Sequence, residues 1–308
     1  MAKKYFLVLS FLLIFVGNAQ ANTGLVKISE NIYSYVDTKN ASGHNSFGAN
    51  AGIIIGNDYI VVIDTLISSK KAKQFIIDIR KVSDLPIKYV INTHYHLDHV
   101  FGNAEFKKLG ATIIAHKNCN ANMHKFAAVN LQNIGNYGIS PEEIEGTEIA
   151  FPQIIFSDSL TLDLEKMTVN IKYVASSHTD GSVLVLVPEE KVLFTGDIVF
   201  TDYHPYMADG NVESWSNVLD FILTIDANKI VPGHGPISGK KDVNDMKEYI
   251  LTFDKKAKEL VVKDNDIEKI VMELKKVIPQ RTELEAIIAG NIMKYTKDKQ
   301  KTSKNRLK

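Results

Sequence analysis

The chain has 308 residues, of which 45% are hydrophobic and 23% charged, a composition typical of a globular protein with a large buried core. Lysine plus arginine and aspartate plus glutamate each number 36, so no overall charge favours a nucleic-acid partner. The single cysteine, Cys119, excludes an internal disulfide.

The first 21 residues have the features of a secretory signal peptide. Lys3 and Lys4 supply positive charge, residues 5–16 are apolar apart from one serine, and Ala19-Gln20-Ala21 offers small residues for cleavage. The apolar segment is shorter than the roughly 20 residues that span a bilayer, so we expect cleavage rather than a stable membrane anchor. The sequence thus predicts a signal peptide over 1–21 and a periplasmic mature protein.

The N-terminal part of the mature chain contains short, largely apolar runs of a kind typical of strands. The predicted strands are Leu25–Ile28, Ile32–Val36, Ala51–Ile55 and Tyr59–Asp64. A helix is predicted over 68–82, where apolar residues recur with a helical period and a serine can cap the first turn. With the strand predicted at Ile87–Asn92, this makes a strand-helix-strand unit whose carboxyl ends collect side chains at one edge.

The run His94-Tyr95-His96-Leu97-Asp98-His99 follows that last strand. Its three imidazoles and one carboxylate are the ligand types that catalytic zinc sites use. In an extended segment His94, His96 and Asp98 share one side and His99 points elsewhere. The run is therefore interpreted as a loop that could serve two metals, with a histidine-rich surface loop as the alternative.

Four more His or Asp residues lie where an apolar run opens into a turn. They are Asp64, His178, Asp197 and His234. Taken singly, each could be an ordinary turn residue or a histidine bonded to a neighbouring loop. Together with the run at 94–99 they make five strand-to-loop transitions that carry the same residue types, which favours one shared metal site.

Helical periodicity returns in the second half of the chain. Helices are predicted near 213–225, 240–262, 265–277 and 281–295. From residue 297 the chain is rich in lysine and lacks an apolar pattern, so a basic, disordered tail is expected, with a membrane-surface or nucleic-acid contact as the alternative.

The order Asp64, His94-x-His96-x-Asp98-His99, His178, Asp197, His234 resembles the metallo-β-lactamase-fold hydrolase superfamily over residues 25–250. The resemblance implies an α/β protein with a four-layer αββα sandwich and a helical C-terminal extension. The predicted organisation is a signal peptide at 1–21, a metallo-β-lactamase-like domain at 22–250, the helical extension at 251–295 and the basic disordered tail at 296–308.

The resemblance also implies a metal-dependent hydrolase that holds two Zn²⁺ per chain, with iron as the alternative metal. His94, His96 and His178 would hold the first ion, Asp98, His99 and His234 the second, with Asp197 bridging them and Asp64 orienting the loop from behind. Such a pair of metals can share a water molecule and deliver hydroxide to a carbonyl or phosphoryl centre. Asp98 is the predicted catalytic residue because it both binds metal and is placed to transfer a proton.

The expected reaction is cleavage of an amide or ester bond in a small molecule, β-lactams included. Segments 208–215 and 231–235 look like class-B β-lactamases. The best-known enzymes of that class have a cysteine at the position of Asp197. Many have a lysine, which holds the substrate carboxylate, at the position of Phe200. An aspartate at position 197 is typical of glyoxalase II-like thioesterases and lactonases, which are the alternative. His204 and Tyr206 are candidate substrate contacts.

Two other classes of function remain as hypotheses. An iron-dependent sulfur or oxygen oxidoreductase on the same fold is the first, although such proteins tend to have glutamate at the position of His96. A non-catalytic binding protein is the second, and the complete set of ligands argues against it. No nucleic-acid partner is expected, and the sequence predicts no particular oligomeric state.

Overall fold

The computed structural model describes residues 24–306, with side chains described as far as residue 299. The predicted signal peptide lies outside these residues. No helix within 24–306 is long and apolar enough to cross a membrane.

The first β-sheet contains seven strands in chain order. They are β1 (Val26–Lys27), β2 (Ile32–Ser34), β3 (Gly52–Ile55), β4 (Ile60–Ile63), β5 (Ile87–Ile91), β6 (Thr112–His116) and β7 (Ile154–Phe156). The strands β1 to β4 pair antiparallel, and β4 to β7 pair parallel. The strands predicted in the N-terminal part of the chain are confirmed, with shorter bounds.

The second β-sheet contains five strands, in the order β12-β11-β10-β9-β8. They are β8 (Ser159–Asp163), β9 (Thr168–Tyr173), β10 (Val183–Val187), β11 (Val192–Phe200) and β12 (Lys229–His234). All neighbours pair antiparallel except β11 and β12, which run parallel. The carboxyl ends of β11 and β12 therefore meet at one edge, where Asp197 and His234 lie.

The helices connect and flank the two sheets. They are α1 (Ser69–Arg80), α2 (Leu97–Val100), α3 (Asn103–Lys108), α4 (Lys117–Gln132), α5 (Val212–Thr224), α6 (Lys240–Lys263), α7 (Ile267–Lys275) and α8 (Ile287–Arg306). Ser68 or Ser69 could cap α1, and the cap is Ser68, since its side chain accepts a hydrogen bond from the backbone N–H of Lys71.

Three apolar layers hold these elements together. Between the sheets, β-branched residues such as Ile54 and Val185 form a common core. Phe75 of α1 packs on the outer face of the first sheet, and Trp215 of α5 with Phe253 of α6 packs on the outer face of the second. This is the four-layer αββα sandwich that the resemblance implies, and the C-terminal helical region is present as well.

The C-terminal helices differ from the prediction in their bounds. The predicted division at residue 250 falls inside α6, whose Ile250 and Phe253 both lie in the core of the second sheet. Helix α8 continues to Arg306, where a disordered tail is predicted from 296. Buried Ile288 and Ile292 anchor its first turns, and no glycine or proline follows Gly290 to end the helix.

Candidate metal centre and cleft

The predicted metal ligands converge at the edge where the carboxyl ends of strands from both sheets meet. They form two groups. In each group the candidate ligand atoms are at most 4.8 Å apart. The first group is His94, His96, His178 and Asp197, and the second is Asp98, His99 and His234.

The run at 94–99 is divided between the groups by a change of backbone. His94 and His96 lie in the loop between β5 and α2, while α2 begins at Leu97. The helical turn sends Asp98 and His99 to the second group. Five of the seven residues are at most 4% exposed, so desolvation affects most of the centre.

Asp197 stands between the two groups. One carboxylate oxygen, Oδ2, lies 3.6 Å from His94 Nε2 and 3.4 Å from His178 Nε2. The other, Oδ1, lies 3.0 Å from His99 Nε2 and 3.4 Å from His234 Nε2. A Cβ at position 233 would come within 2.0 Å of that Oδ1, so Gly233 keeps the space that this carboxylate occupies.

Each imidazole of the centre has one ring nitrogen that faces the other ligands. The other ring nitrogen forms a hydrogen bond to a residue outside the seven ligands, as in metal-binding histidines generally. The pairs are His94 Nδ1 with Thr93 Oγ1 (3.1 Å), His96 Nε2 with Asp209 (3.0 Å), His99 Nδ1 with Asp64 (2.8 Å), His178 Nδ1 with the Tyr206 carbonyl (3.0 Å) and His234 Nδ1 with the Phe47 carbonyl (3.1 Å). Because a carbonyl only accepts, His178 and His234 carry their proton on Nδ1. Their Nε2 lone pairs therefore point into the centre.

Asp64 lies outside the two ligand groups and links them through hydrogen bonds. Its carboxylate accepts hydrogen bonds from Thr93 N (2.8 Å), Thr93 Oγ1 (2.7 Å) and His99 Nδ1 (2.8 Å). Since Thr93 Oγ1 donates to Asp64, it is free to accept from His94. Asp64 thus orients one ligand of each group, and it does so from a left-handed backbone position, φ 58°, at the end of β4.

The electrostatics differ between the groups. Burial lowers the pKa of His94 well below its ordinary value and lowers that of His178 to about 3, so both rings are neutral as metal binding requires. Burial also lowers the pKa of His99, but the carboxylates of Asp197, Asp98 and Asp64 outweigh it and hold that pKa well above its ordinary value. Metal binding at the second group therefore competes with a proton.

The residues fit a metal. His94 Nε2 is buried and has no hydrogen-bond partner among the described residues, and its nearest carboxylate oxygen, on Asp197, is 3.6 Å away. A buried polar atom without a partner is uncommon and needs a reason. An ion held by neutral imidazole and carboxylate is such a reason, because these are the donor types of catalytic metal sites.

A cavity of about 610 Å³ opens over the centre, and its floor includes Asp98, Asp197 and His234. Its walls come from widely separated segments of the chain. They include Phe47, Leu97, Phe126, Tyr137, Leu284 and Ile287. The last two belong to the C-terminal region, so α8 and the segment before it form one side of the cleft.

The structure separates the two predicted substrate contacts. Tyr206 lines the cleft. His204 is 3% exposed and does not line it, since its ring hydrogen-bonds to the Tyr249 hydroxyl on α6 at 2.6 Å. Burial lowers the pKa of His204 to about 4. The prediction for His204 is wrong because its backbone N–H donates to the Glu283 carbonyl, which holds the residue beneath the C-terminal segment.

Asp209 and Tyr95 belong to the site but not to the set of residues predicted from the sequence. The Asp209 carboxylate accepts a 2.5 Å hydrogen bond from the Tyr95 hydroxyl and lies 3.0 Å from His96 Nε2. Although burial raises the pKa of Asp209, its hydrogen bonds to His96 and Tyr95 lower it to about 2. Two features of the sequence point to these residues. Tyr95 stands between two predicted ligands, and Asp209 lies in the segment 208–215.

Residues 45–234 match the family model of the metallo-beta-lactamase superfamily, and the chain belongs to that superfamily. It is a metal-dependent hydrolase of this class. The metallo-beta-lactamase type 2 of Bacteroides fragilis is 21% identical over 231 residues, which cover 73% of this chain and 84% of that relative. The linear primary-alkylsulfatase of Pseudomonas sp. (strain ATCC 19151) is 27% identical over 223 residues, 61% of this chain and 42% of that relative.

The fold is also shared with solved structures. A metallo-beta-lactamase from Pontibacter korlensis superimposes with a TM-score of 0.57 at 18% identity, covering 74% of this chain and 98% of that one. The match therefore accounts for nearly the whole of that structure and leaves about a quarter of this chain outside it.

Proposed function

We propose that this chain is a zinc-dependent hydrolase that uses two metal ions to cleave an amide or ester bond of a small molecule in the periplasm. The observation that carries the proposal is the pair of ligand groups on either side of Asp197, whose imidazoles all have their outer nitrogens hydrogen-bonded.

The division of the ligands follows the two groups. His94, His96 and His178 would hold one zinc ion and Asp98, His99 and His234 the other, with Asp197 shared. Zinc at these positions would supply Lewis acidity and lower the pKa of a water molecule toward neutrality.

Asp98 is the residue proposed to handle the proton. Its side chain is 12% exposed and lines the cleft, whereas the Asp197 side chain is 4% exposed. Asp98 Oδ2 lies 3.4 Å from His234 Nε2, so this carboxylate borders both the ligand cluster and the space for substrate. It can orient the attacking water and pass its proton to the leaving group.

The bond that is cleaved is proposed from the residues that differ from class-B β-lactamases. Asp197 in the shared position favours an ester, thioester or lactone over a β-lactam, in the way that glyoxalase II-like thioesterases and lactonases do. Phe200 supports this, because it stacks on the His234 ring with centroids 4.9 Å apart and offers no charge for a β-lactam carboxylate.

The test is a hydrolysis screen over lactams, lactones, thioesters and phosphodiesters with the purified mature protein. We expect turnover of an ester-type substrate that a chelator abolishes and that added zinc restores. Turnover that survives complete removal of metal would contradict the proposal, as would restoration by iron but not by zinc.

A further inference from the structure

We propose that the substrate carries a bulky apolar group and has no charge away from the bond that is cleaved, and that α8 forms the pocket for this group. The inference rests on the proposed hydrolase function and deepens it by naming the substrate class. Three observations carry it: the charge of the cleft, the chemistry of its walls and one glycine on α8.

The cleft offers no cation to a remote anionic group. The acids that line it are Asp98, Asp197 and Asp209, and no lysine or arginine is among the described residues that do so. Two cations of the C-terminal region are turned elsewhere, since Lys294 donates to the Gly210 carbonyl and Arg281 pairs with Asp245.

A second carboxylate on the substrate, held away from the metals, would therefore lose its hydration without gaining a cation as partner. Burial of an unpaired charge is strongly unfavourable. Asp209 strengthens this exclusion, because its carboxylate lines the cleft and is held there by the Tyr95 hydroxyl and His96. The metals would be the source of positive charge in the cleft. The reacting group of the substrate would lie against them, so they would not be available to a remote carboxylate.

The walls of the cleft are apolar on opposite sides. Phe47, Leu97 and Phe126 face it from the metallo-β-lactamase-like part, and Leu284 and Ile287 face it from the C-terminal region. The volume of about 610 Å³ is in the usual range for small-molecule sites. An aliphatic or aromatic group placed here would be removed from water on both faces.

Gly290 sets the depth of the pocket. Helix α8 turns Ile288 and Ile292 into the core, while Ile287 and Gly290 line the cleft. A Cβ at position 290 would meet no atom within 4 Å. Glycine inside a helix is less stable than alanine, and an added Cβ would meet no neighbour here, so packing does not account for the glycine. Its effect is to leave the cleft open beside Ile287.

The first experiment compares two thiol probes, 1-hexanethiol and 6-mercaptohexanoate, which have equal chain lengths and differ in the remote carboxylate. A thiolate is a ligand for zinc, so binding to the zinc-loaded protein can be measured by calorimetry without any catalysis. We expect hexanethiol to bind at least about tenfold more tightly, from the cost of burying the unpaired carboxylate. Equal or tighter binding of 6-mercaptohexanoate would overturn the inference.

The second experiment places the apolar group against α8. Gly290→Leu should weaken hexanethiol binding by about tenfold or more, because its side chain fills the pocket. Gly290→Ala is the matched control for helix propensity and should bind hexanethiol nearly as the unsubstituted protein does. Both variants are checked for fold and zinc content. Unchanged binding by a folded, zinc-loaded Gly290→Leu protein would show that the pocket lies elsewhere.

The two proposals fail in different ways. A protein that binds zinc and hydrolyses neutral and remotely charged esters equally well retains the proposed function and loses the inference. A zinc-loaded protein that binds neither thiol also refutes the inference. A protein that binds no zinc refutes the proposed function and, with it, the inference.

Discussion

Asp64 accepts hydrogen bonds from Thr93 N, Thr93 Oγ1 and His99 Nδ1 at the point where β4 ends. Through His99 it acts directly on the second ligand group, and through Thr93 it acts on His94 of the first. At the scale of single residues, this carboxylate behind the ligands couples the geometry of both proposed metal sites.

Replacing Asp64 with alanine should therefore weaken the two sites unequally. Loss of an outer hydrogen-bond partner typically costs 10–100-fold in metal affinity, and we expect about that loss at the second site. The first site should lose less, since Thr93 still bonds to His94. Zinc titration against a competing chelator measures both affinities.

Asp78→Ala is the control for this substitution. Asp78 is also buried and accepts hydrogen bonds from Tyr35 and Lys81, but it lies on α1 away from the centre. It should lower stability and leave both zinc affinities unchanged. Equal weakening of both sites by Asp64→Ala would show that its role is general stability.

Asp98→Asn separates chemistry from binding. The amide keeps the shape of the side chain but removes the acid-base group, so turnover should fall by at least about a hundredfold on the substrate that the screen identifies. Asp202→Asn is the matched control, because Asp202 is exposed at φ 63°, where asparagine is equally tolerated. Near-normal turnover by an Asp98→Asn protein with metal bound would refute the assignment.

The residues of the centre differ in how far the sequence could predict them. His94 to His99, His178 and His234 could be identified because imidazoles at strand ends are uncommon and their order is specific. The hydrogen bonds of His204 and Asp209 could not be predicted, because only folding brings Tyr249 to the first and Tyr95 to the second.

At the scale of elements, α8 holds the loop that supports the first ligand group. Asn291 is fully buried, donates to the Pro205 carbonyl at 2.8 Å and accepts from Met207 N at 2.7 Å. Between those two residues, Tyr206 provides the carbonyl that orients His178.

Asn291→Ala should consequently weaken the first zinc site although Asn291 touches no ligand. We expect about a tenfold loss of affinity, at the lower end of the range for outer hydrogen bonds, because the carbonyl that orients His178 is no longer fixed. Ile288→Ala is the control, since it creates a cavity in the same helix, at a cost of about 2–5 kcal/mol, without breaking those bonds. Equal zinc affinities for both variants would contradict this role of α8.

The limits of sequence-based prediction at this scale are visible in the same helix. The periodicity predicts a helix from 281, but α8 begins at Ile287. Residues 282 and 283 instead donate backbone hydrogen bonds to the Asp202 carbonyl. A pairing between segments so far apart in sequence has no local signature, whereas α1, with a serine cap and a regular apolar face, was predicted nearly to its bounds.

At the scale of the whole molecule, the layers follow from the alternation of strands and helices and from the family pattern. The wall of the cleft that Leu284, Ile287 and Gly290 form does not, because it depends on how the C-terminal helices pack on the second sheet. The part of the chain beyond residue 234 lies outside the family match, and it contributes one wall of the cleft.

Export is a second property of the whole chain. With Lys3, Lys4, the apolar segment and Ala19-Gln20-Ala21, we expect removal of the first 21 residues and a protein recovered free in the periplasm. The intact mass of the native product measures this. Retention of Met1 in a membrane fraction would show an uncleaved anchor.

The content of zinc per chain tests the central claim most directly. Elemental analysis of the purified, zinc-saturated mature protein should find two zinc ions per chain, one for each ligand group of the centre. His178→Ala should bring the ratio toward one, because it removes a ligand from the first group alone. One metal ion per chain at saturation, or iron retained in place of zinc, would contradict the account.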